Sequence, residues 1–168
     1  MAEGILRTRA AELGLDVHVS SAGAFPGGSP ATPDAVLTLR TMGIDIDRHV
    51  SRRLDRDILA KADLVLTMTR EHLREAVVTD PSAFGRIFTL KEFVRKLQDS
   101  PTATLTELHK GRSTRDYLHN DPDDDVPDPI GKSRSVYETT ARDLDVMLRV
   151  VVPRLSTLGI PARTEEAS

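Results

Sequence analysis

Residues 62–69, Ala-Asp-Leu-Val-Leu-Thr-Met-Thr, carry the clearest strand signal in the sequence. Leu64–Met68 is an almost continuous apolar run, which is typical of a strand buried on both faces of a parallel sheet. Thr69 follows at once and is a suitable helix cap, because its hydroxyl can accept a hydrogen bond from the first turn. The order strand, cap and helix favours an α/β architecture around a parallel sheet.

The same alternation extends in both directions from this strand. Two more strands are predicted, at Val17–Ser20 and Arg86–Leu90. Glycines and capping residues separate the strands from amphipathic helical stretches. The predicted helical stretches are Ala2–Leu13, a helix from Thr32-Pro33 to Gly43, a short helix after Asp55, a helix from Thr69 through Val77, a partly helical polar stretch at Lys91–His119, and Arg134–Leu155 with a kink near Pro153. No capping side chain precedes the first of them.

Composition and charge exclude several classes of function. The 168 residues are 39% hydrophobic and 29% charged, with a net charge of -3, as expected for one globular domain over residues 1–168. This charge gives no basic surface for nucleic acid or an anionic membrane. No apolar run approaches the ~20 residues of a membrane span, and the first residues do not resemble a secretory signal. We therefore expect a cytoplasmic protein.

The chain contains no cysteine, which excludes disulfides, thiolate metal sites and cysteine nucleophiles within these residues. An acidic run in the loop Asn120–Lys132 suggests a metal site. An EF-hand loop beginning at Asp121 would need glycine and glutamate where Val126 and Lys132 stand. A solvated acidic loop is the better interpretation of the run, which consists of Asp121, Asp123, Asp124, Asp125 and Asp128.

Several segments, in this order, resemble one family. They are residues 1–7 (MAEGILR), 20–23 (SSAG), 33–49 (ending in MGIDIDRH), 62–69 (ADLVLTMT) and 125–131 (DVPDPIG), followed by a last helix with Tyr137 and Leu144. The chain resembles the low-molecular-weight protein tyrosine phosphatases, with arsenate reductases as relatives, over most of its length. This resemblance implies a four-stranded parallel sheet flanked by helices, three strands of which are visible here. It also implies a phosphate-binding Cys-x5-Arg loop between the first strand and the first helix.

The resemblance implies hydrolysis of phosphotyrosine or another phosphomonoester, in a protein or a small molecule, through a phosphocysteine and without metal or other cofactor. It implies that Asp128 is the general acid, that His49 and Ser21 support the phosphate loop, and that Phe25 and Ile130 form pocket walls. Each of these residues also has an ordinary structural interpretation, and Asp-Pro in particular is common turn chemistry. Ile130 stands where many tyrosine phosphatases have an aromatic residue, which leaves phosphotyrosine specificity open.

The family's first strand and its Cys-x5-Arg loop have no counterpart in these residues. We therefore expect the 168 residues alone to be inactive and unstable, and the true start of the gene product to lie upstream. The missing strand would lie between Val17–Ser20 and Leu64–Met68. Two alternatives stay open: a non-catalytic family member that acts as a binding or regulatory protein, with oligomerisation replacing the strand, and an arsenate reductase-like protein, which also needs cysteines.

Overall fold

The computed structural model describes residues 1–113 and 122–159 of the chain. Within them the strands β1 (Val65–Thr67) and β2 (Ile87–Thr89) form a parallel pair, with Val65 opposite Ile87. The predicted class, α/β with a parallel sheet flanked by helices, is confirmed. The helices are α1 (Ala2–Glu12), α2 (Pro33–Thr41), α3 (Arg56–Lys61), α4 (Arg70–Thr79), α5 (Leu90–Asp99), α6 (Leu105–His109) and α7 (Arg134–Val151).

The strand predicted at Val17–Ser20 is wrong. In the described part of the chain this segment follows α1 without joining a sheet, and the described sheet contains two strands rather than three. An extended segment becomes a strand only where a neighbour exchanges backbone hydrogen bonds with it. No described strand runs beside Val17–Ser20, and isolated bridges first occur further on, at Gly23 with Arg53 and Pro30 with Val50.

Side-chain caps determine where five of the described helices begin. At each of these helix starts a hydroxyl or carboxylate accepts a hydrogen bond from a backbone N–H of the first turn, an interaction that contributes about 1 kcal/mol. The capping residues are Thr32, Asp55, Thr69, Thr89 and Thr104. Helix α1 begins after Met1 without a side-chain cap, as the sequence predicted.

Helices cover both faces of the parallel pair. The larger core joins α1, α2, α5 and α7 to one face, where the rings of Phe88 and Phe93 lie 5.1 Å apart between centroids. The smaller cluster packs α3 and α4 around Ile87 on the other face. In α1 a Cβ added at Gly4 would lie 2.7 Å from Cγ2 of Ile46, so this close approach of α1 requires glycine.

The remaining helical predictions hold with shifted ends. The stretch Lys91–His119 contains α5 and α6, and residues 114–119 lie outside the described residues, as do 120 and 121 of the acidic loop. Helix α7 gives way to a 3₁₀ segment, Val152–Thr157, just before Pro153, and the kink predicted there stays a prediction. No helix in the described ranges is long and apolar enough to cross a membrane.

Candidate active site

The segment 122–132, here called the acid loop, is held at the carboxyl end of β1. The N–H of Val126 donates to the carbonyl of Met68, the residue after β1, at 2.8 Å. Oδ1 of Asp125 accepts a hydrogen bond of 2.7 Å from the N–H of Arg70, the first residue of α4. The carboxyl ends of parallel strands are where open α/β folds bind ligands, so the acid loop borders the expected position of an active site.

Asp128 lies exposed at the tip of the acid loop. Its Oδ1 accepts a hydrogen bond of 2.9 Å from the N–H of Ile130, a local turn that holds the carboxyl group in place. Gly131 follows with a φ of 74°, a conformation that favours glycine. The carboxyl group is therefore fixed by its own turn and remains open to solvent and to a ligand.

A second group of polar side chains surrounds Glu3 in the first turn of α1. Oε2 of Glu3 accepts a hydrogen bond of 2.5 Å from Oγ of Ser21 and lies 3.5 Å from Nδ1 of His49. Its Oε1 pairs with Arg7 at 3.0 Å. Glu3 was not predicted from the sequence, because an acidic residue in a first helical turn is ordinary and gives no signal of this role.

A cavity of about 480 Å³ opens beside this group. It is lined by Glu3, His49 and Arg52 together with residues of α1 and of the segment after α2. Nε and Nη2 of Arg52 donate to the carbonyl of Ser21 at 3.3 and 3.2 Å. Of the two residues predicted to support a phosphate loop, His49 therefore lines the cavity, and Ser21 contacts two of its lining residues, Glu3 and Arg52.

Phe25 lies on a loop separate from the acid loop and from the side chains around Glu3. Phe25 is 83% exposed, and the Gly23 and Gly28 N–H groups of its loop donate to the carbonyls of Arg52 and Ser51. Ile130 is also exposed, at 66%. In the described ranges no hydrogen bond or ion pair joins Asp128 to Glu3 or its partners. The roles predicted for Asp128, His49, Ser21, Phe25 and Ile130 stay predictions.

Replacing Glu3 by glutamine should lower the free energy of unfolding by about 1–3 kcal/mol, because partly buried donors would lose a charged acceptor. Urea denaturation of the purified protein measures this loss. Glu12→Gln is the matched control: Glu12 also pairs with an arginine on α1, Arg9, but its side chain is 49% exposed against 17% for Glu3. We expect about 0–1 kcal/mol there. Equal losses would show that Glu3 does not organise this group.

The interpretation of the acidic run as a solvated loop is wrong for Asp124, which is fully buried. Its two carboxylate oxygens pair with Arg70 and Arg95. Glu92, also buried, pairs with Arg112 at 3.0 Å and with Arg70 at 3.7 Å. We call these five residues the charge cluster. Burial of a carboxylate is costly unless cations compensate it, and the partners of Asp124 are 54 and 29 residues away in sequence.

Arg112 is held between two aromatic rings. Its Cζ lies 4.8 Å from the ring centroid of Phe84 and 4.2 Å from that of Phe88, and Nη1 donates to the carbonyl of Phe84 at 3.3 Å. The ring of His109 meets Phe84 edge-on at 5.1 Å. Burial lowers the pKa of His109, and the positive charges of Arg112 and Lys96 lower it further against an opposing effect of Glu92.

The lowered pKa of His109 predicts a pH dependence of stability. The unfolded chain binds a proton near the ordinary pKa of about 6.5, whereas the folded protein binds it only at lower pH. The contribution of neutral His109 is therefore fully present above pH 6.5 and is lost as the pH falls through the folded-state pKa. Urea denaturation at several pH values should show a smaller loss on acidification in His109→Gln. Parallel pH curves for the two proteins would contradict this assignment.

Comparison with known proteins gives the family. The sequence model described as low molecular weight phosphotyrosine protein phosphatase matches residues 1–103. The protein-arginine-phosphatase of Bacillus subtilis (strain 168) is 35% identical over 161 residues, which are 92% of this chain and 87% of that protein. The chain therefore belongs to the low-molecular-weight phosphotyrosine protein phosphatase family, as the resemblance predicted.

Solved structures agree with this assignment. The low molecular weight protein tyrosine phosphatase from T. tengcongensis is 35% identical, with a TM-score of 0.71 over 92% of this chain and 88% of that one. A structure of the YwlE arginine phosphatase, a cysteine-to-serine variant with a phosphorylated active-site serine, is 31% identical. Its TM-score is 0.72 over 92% of this chain and 86% of that one. Both tyrosine and arginine phosphatases are thus relatives of this protein.

Proposed function

We propose that this protein takes part in the hydrolysis of phosphorylated side chains on proteins, with phosphotyrosine as the first substrate class, and that Asp128 is its general acid. The observation that carries the proposal is the acid loop, which presents an exposed, turn-held carboxyl group at the carboxyl end of β1. A phenolate is a poor leaving group at neutral pH, because the phenol pKa is about 10. A positioned carboxylic acid that protonates the departing oxygen removes this difficulty.

The nucleophile of this family is a cysteine thiolate, which attacks phosphorus and forms phosphocysteine before water releases phosphate. The 168 residues contain no cysteine. We therefore infer that these residues alone do not turn over substrate by this route, and that activity requires a cysteine supplied from outside them. The phosphorylated serine in the YwlE variant supports a covalent phosphoryl intermediate in a relative. No metal or other cofactor is needed for this chemistry.

Glu3 gives Ser21 and His49 a shared role in this proposal. Both side chains converge on its carboxylate at the start of α1. The start of a helix favours bound anions, because unpaired backbone N–H groups point out of it. We infer that Glu3 orients Ser21 and His49 so that they brace a phosphate-binding loop placed before α1.

A second substrate class, phosphoarginine, is favoured by one observation at the pocket wall. Ile130 is two residues from Asp128 and 66% exposed, and it offers an apolar surface without an aromatic ring to stack on a phenyl group. A guanidine leaving group has no phenyl ring, so the missing aromatic residue, which counts against phosphotyrosine, does not count against phosphoarginine. The Bacillus subtilis relative is named as a protein-arginine phosphatase.

We also propose that the protein forms a single domain over residues 1–168, that it is located in the cytoplasm, and that its partners are phosphorylated proteins.

The test compares the native protein, isolated from cells of its source, with the purified 168-residue chain. Mass spectrometry identifies the first peptide of the native protein, and both samples are assayed on phosphotyrosine and phosphoarginine peptides. We expect the native protein to contain a Cys-x5-Arg sequence and to hydrolyse at least one substrate, and the 168-residue chain to hydrolyse neither. A native protein inactive on both would refute the proposal in favour of a non-catalytic binding protein. Reduction of arsenate instead would favour the reductases, to which part of the chain is similar.

A further inference from the structure

We propose that Asp124, paired with Arg70 and Arg95, is a positioning residue that holds Asp128 in place for proton transfer. This inference rests on the proposed function, because it assigns a role within the same site. Asp124 is fully buried at the base of the acid loop, four residues before Asp128. Its two oxygens engage two separate guanidinium groups, one from α4 and one from α5.

Three consecutive residues anchor the base of the acid loop to the end of β1 and the start of α4. Asp124 pairs with the side chain of Arg70, Asp125 accepts from the Arg70 N–H, and Val126 donates to the carbonyl of Met68. The side chain of Val126 is buried in the core as well. The backbone entering the active-site edge is therefore fixed by charge, by hydrogen bonds and by packing at three successive positions.

Little conformational freedom separates this anchor from Asp128. Pro127 fixes its own φ near -65°, and Asp128 is restricted because Pro129 follows it. Pro129 is itself buried, and the Ile130 N–H holds the Asp128 carboxylate. The position of the carboxyl group therefore follows from the position of the anchor, and a shift at Asp124 moves Asp128 with it.

The rest of the charge cluster makes Arg70 a stable partner for Asp124. Glu92 lies 3.7 Å from Nη1 of Arg70 and itself pairs with Arg112, which the two phenylalanine rings enclose. A buried ion pair adds little net stability, but it permits one arrangement only, because separation leaves a buried charge uncompensated. Geometry rather than stability is thus what the pairing of Asp124 contributes to the site.

The experiment introduces Asp124→Asn and Arg95→Gln into the gene in the source cells, and compares the purified proteins on two substrates. One is a phosphotyrosine peptide, and the other is an aryl phosphate whose phenol is far more acidic and leaves without a proton. We expect kcat for the phosphotyrosine peptide to fall about 10-fold, part of the ~10²–10⁴-fold that a general acid supplies, with KM nearly unchanged. For the aryl phosphate with the acidic phenol, kcat should fall less than about 3-fold, since this phenol leaves without a proton from the acid.

Two further variants separate positioning from a general loss of structure. Arg95→Lys keeps the charge and should restore most of the kcat that Arg95→Gln loses. The Arg95 side chain is 49% exposed, so we expect both Arg95 variants to keep the fold even if Asp124→Asn does not. Asp143→Asn makes the same chemical change on the exposed face of α7 and should leave kcat unchanged for both substrates. Hydrogen exchange of residues 122–132 should rise in Asp124→Asn and not in Asp143→Asn.

The outcomes distinguish this inference from the proposed function. Equal losses on both substrates, or an unchanged kcat for the phosphotyrosine peptide in Asp124→Asn and Arg95→Gln, would overturn the positioning role while the phosphatase proposal stands. An unaltered protein that hydrolyses neither substrate would refute the proposed function and this inference together. Unchanged hydrogen exchange of residues 122–132 in Asp124→Asn would also overturn the inference, whatever the activity of that variant.

Discussion

Replacing Asp128 by asparagine should lower kcat of the native protein for a phosphotyrosine peptide by about 10²–10⁴-fold, the usual contribution of a general acid. The amide has nearly the shape of the carboxyl group but cannot donate an acidic proton to the leaving oxygen. Because Asp128 is exposed, we expect the free energy of unfolding to change by less than about 0.5 kcal/mol. Steady-state kinetics and urea denaturation on one preparation measure both effects.

The choice of leaving group is the control for Asp128→Asn. The activity of Asp128→Asn on an aryl phosphate with an acidic phenol should fall much less than its activity on the phosphotyrosine peptide. A loss of the same size on both substrates would show that Asp128 binds substrate or shapes the site. Unchanged activity on both would exclude Asp128 from the chemistry altogether.

Replacing Phe93 by alanine should lower the free energy of unfolding by about 3–5 kcal/mol, the largest effect on stability that we expect from a single change. The ring is fully buried on α5 and packs against Phe88, so its removal leaves a cavity in the core that joins α5 to the sheet and α7. Domains are commonly stable by only 5–15 kcal/mol. Urea denaturation should therefore show a large fall in the midpoint.

Phe25→Ala is the matched control, since it makes the same chemical change at a ring that is 83% exposed. We expect it to change stability by less than about 0.5 kcal/mol. If Phe25 forms a wall of the pocket, KM for the peptide substrate should rise while kcat changes little. A loss below about 1 kcal/mol in Phe93→Ala would mean that the core repacks around the missing ring.

The parts of the fold that were predictable from sequence depend on local interactions. An apolar run of five residues identified β1, and β2 followed from the same signal. Thr32, Asp55 and Thr69 were identified as caps because each side chain reaches an N–H three residues ahead. Such geometry needs no knowledge of the rest of the chain, so the helix starts were predictable.

The errors concern interactions between distant segments. Val17–Ser20 has the composition of a strand, but strand formation depends on a neighbour that local sequence does not specify. Asp124 looked like its acidic neighbours, and its burial depends on Arg70 and Arg95, which the fold brings to it. Glu3 was missed for the same reason, because its partners Ser21 and His49 come from other segments. Asp128 was singled out by the resemblance of residues 125–131 to the family, since Asp-Pro by itself is common turn chemistry.

The charge cluster also bears on how the length of the chain can vary. Arg112 and Asp124 stand on either side of residues 113–123. Asp124 pairs directly with Arg70, and Arg112 is connected to Arg70 through Glu92, which pairs with both arginines. Insertions between them would therefore not alter the spacing between the anchor and Asp128. The distance from the anchor to Asp128 is therefore set by residues 124–128, whatever the length of the chain that joins Asp124 to Arg112.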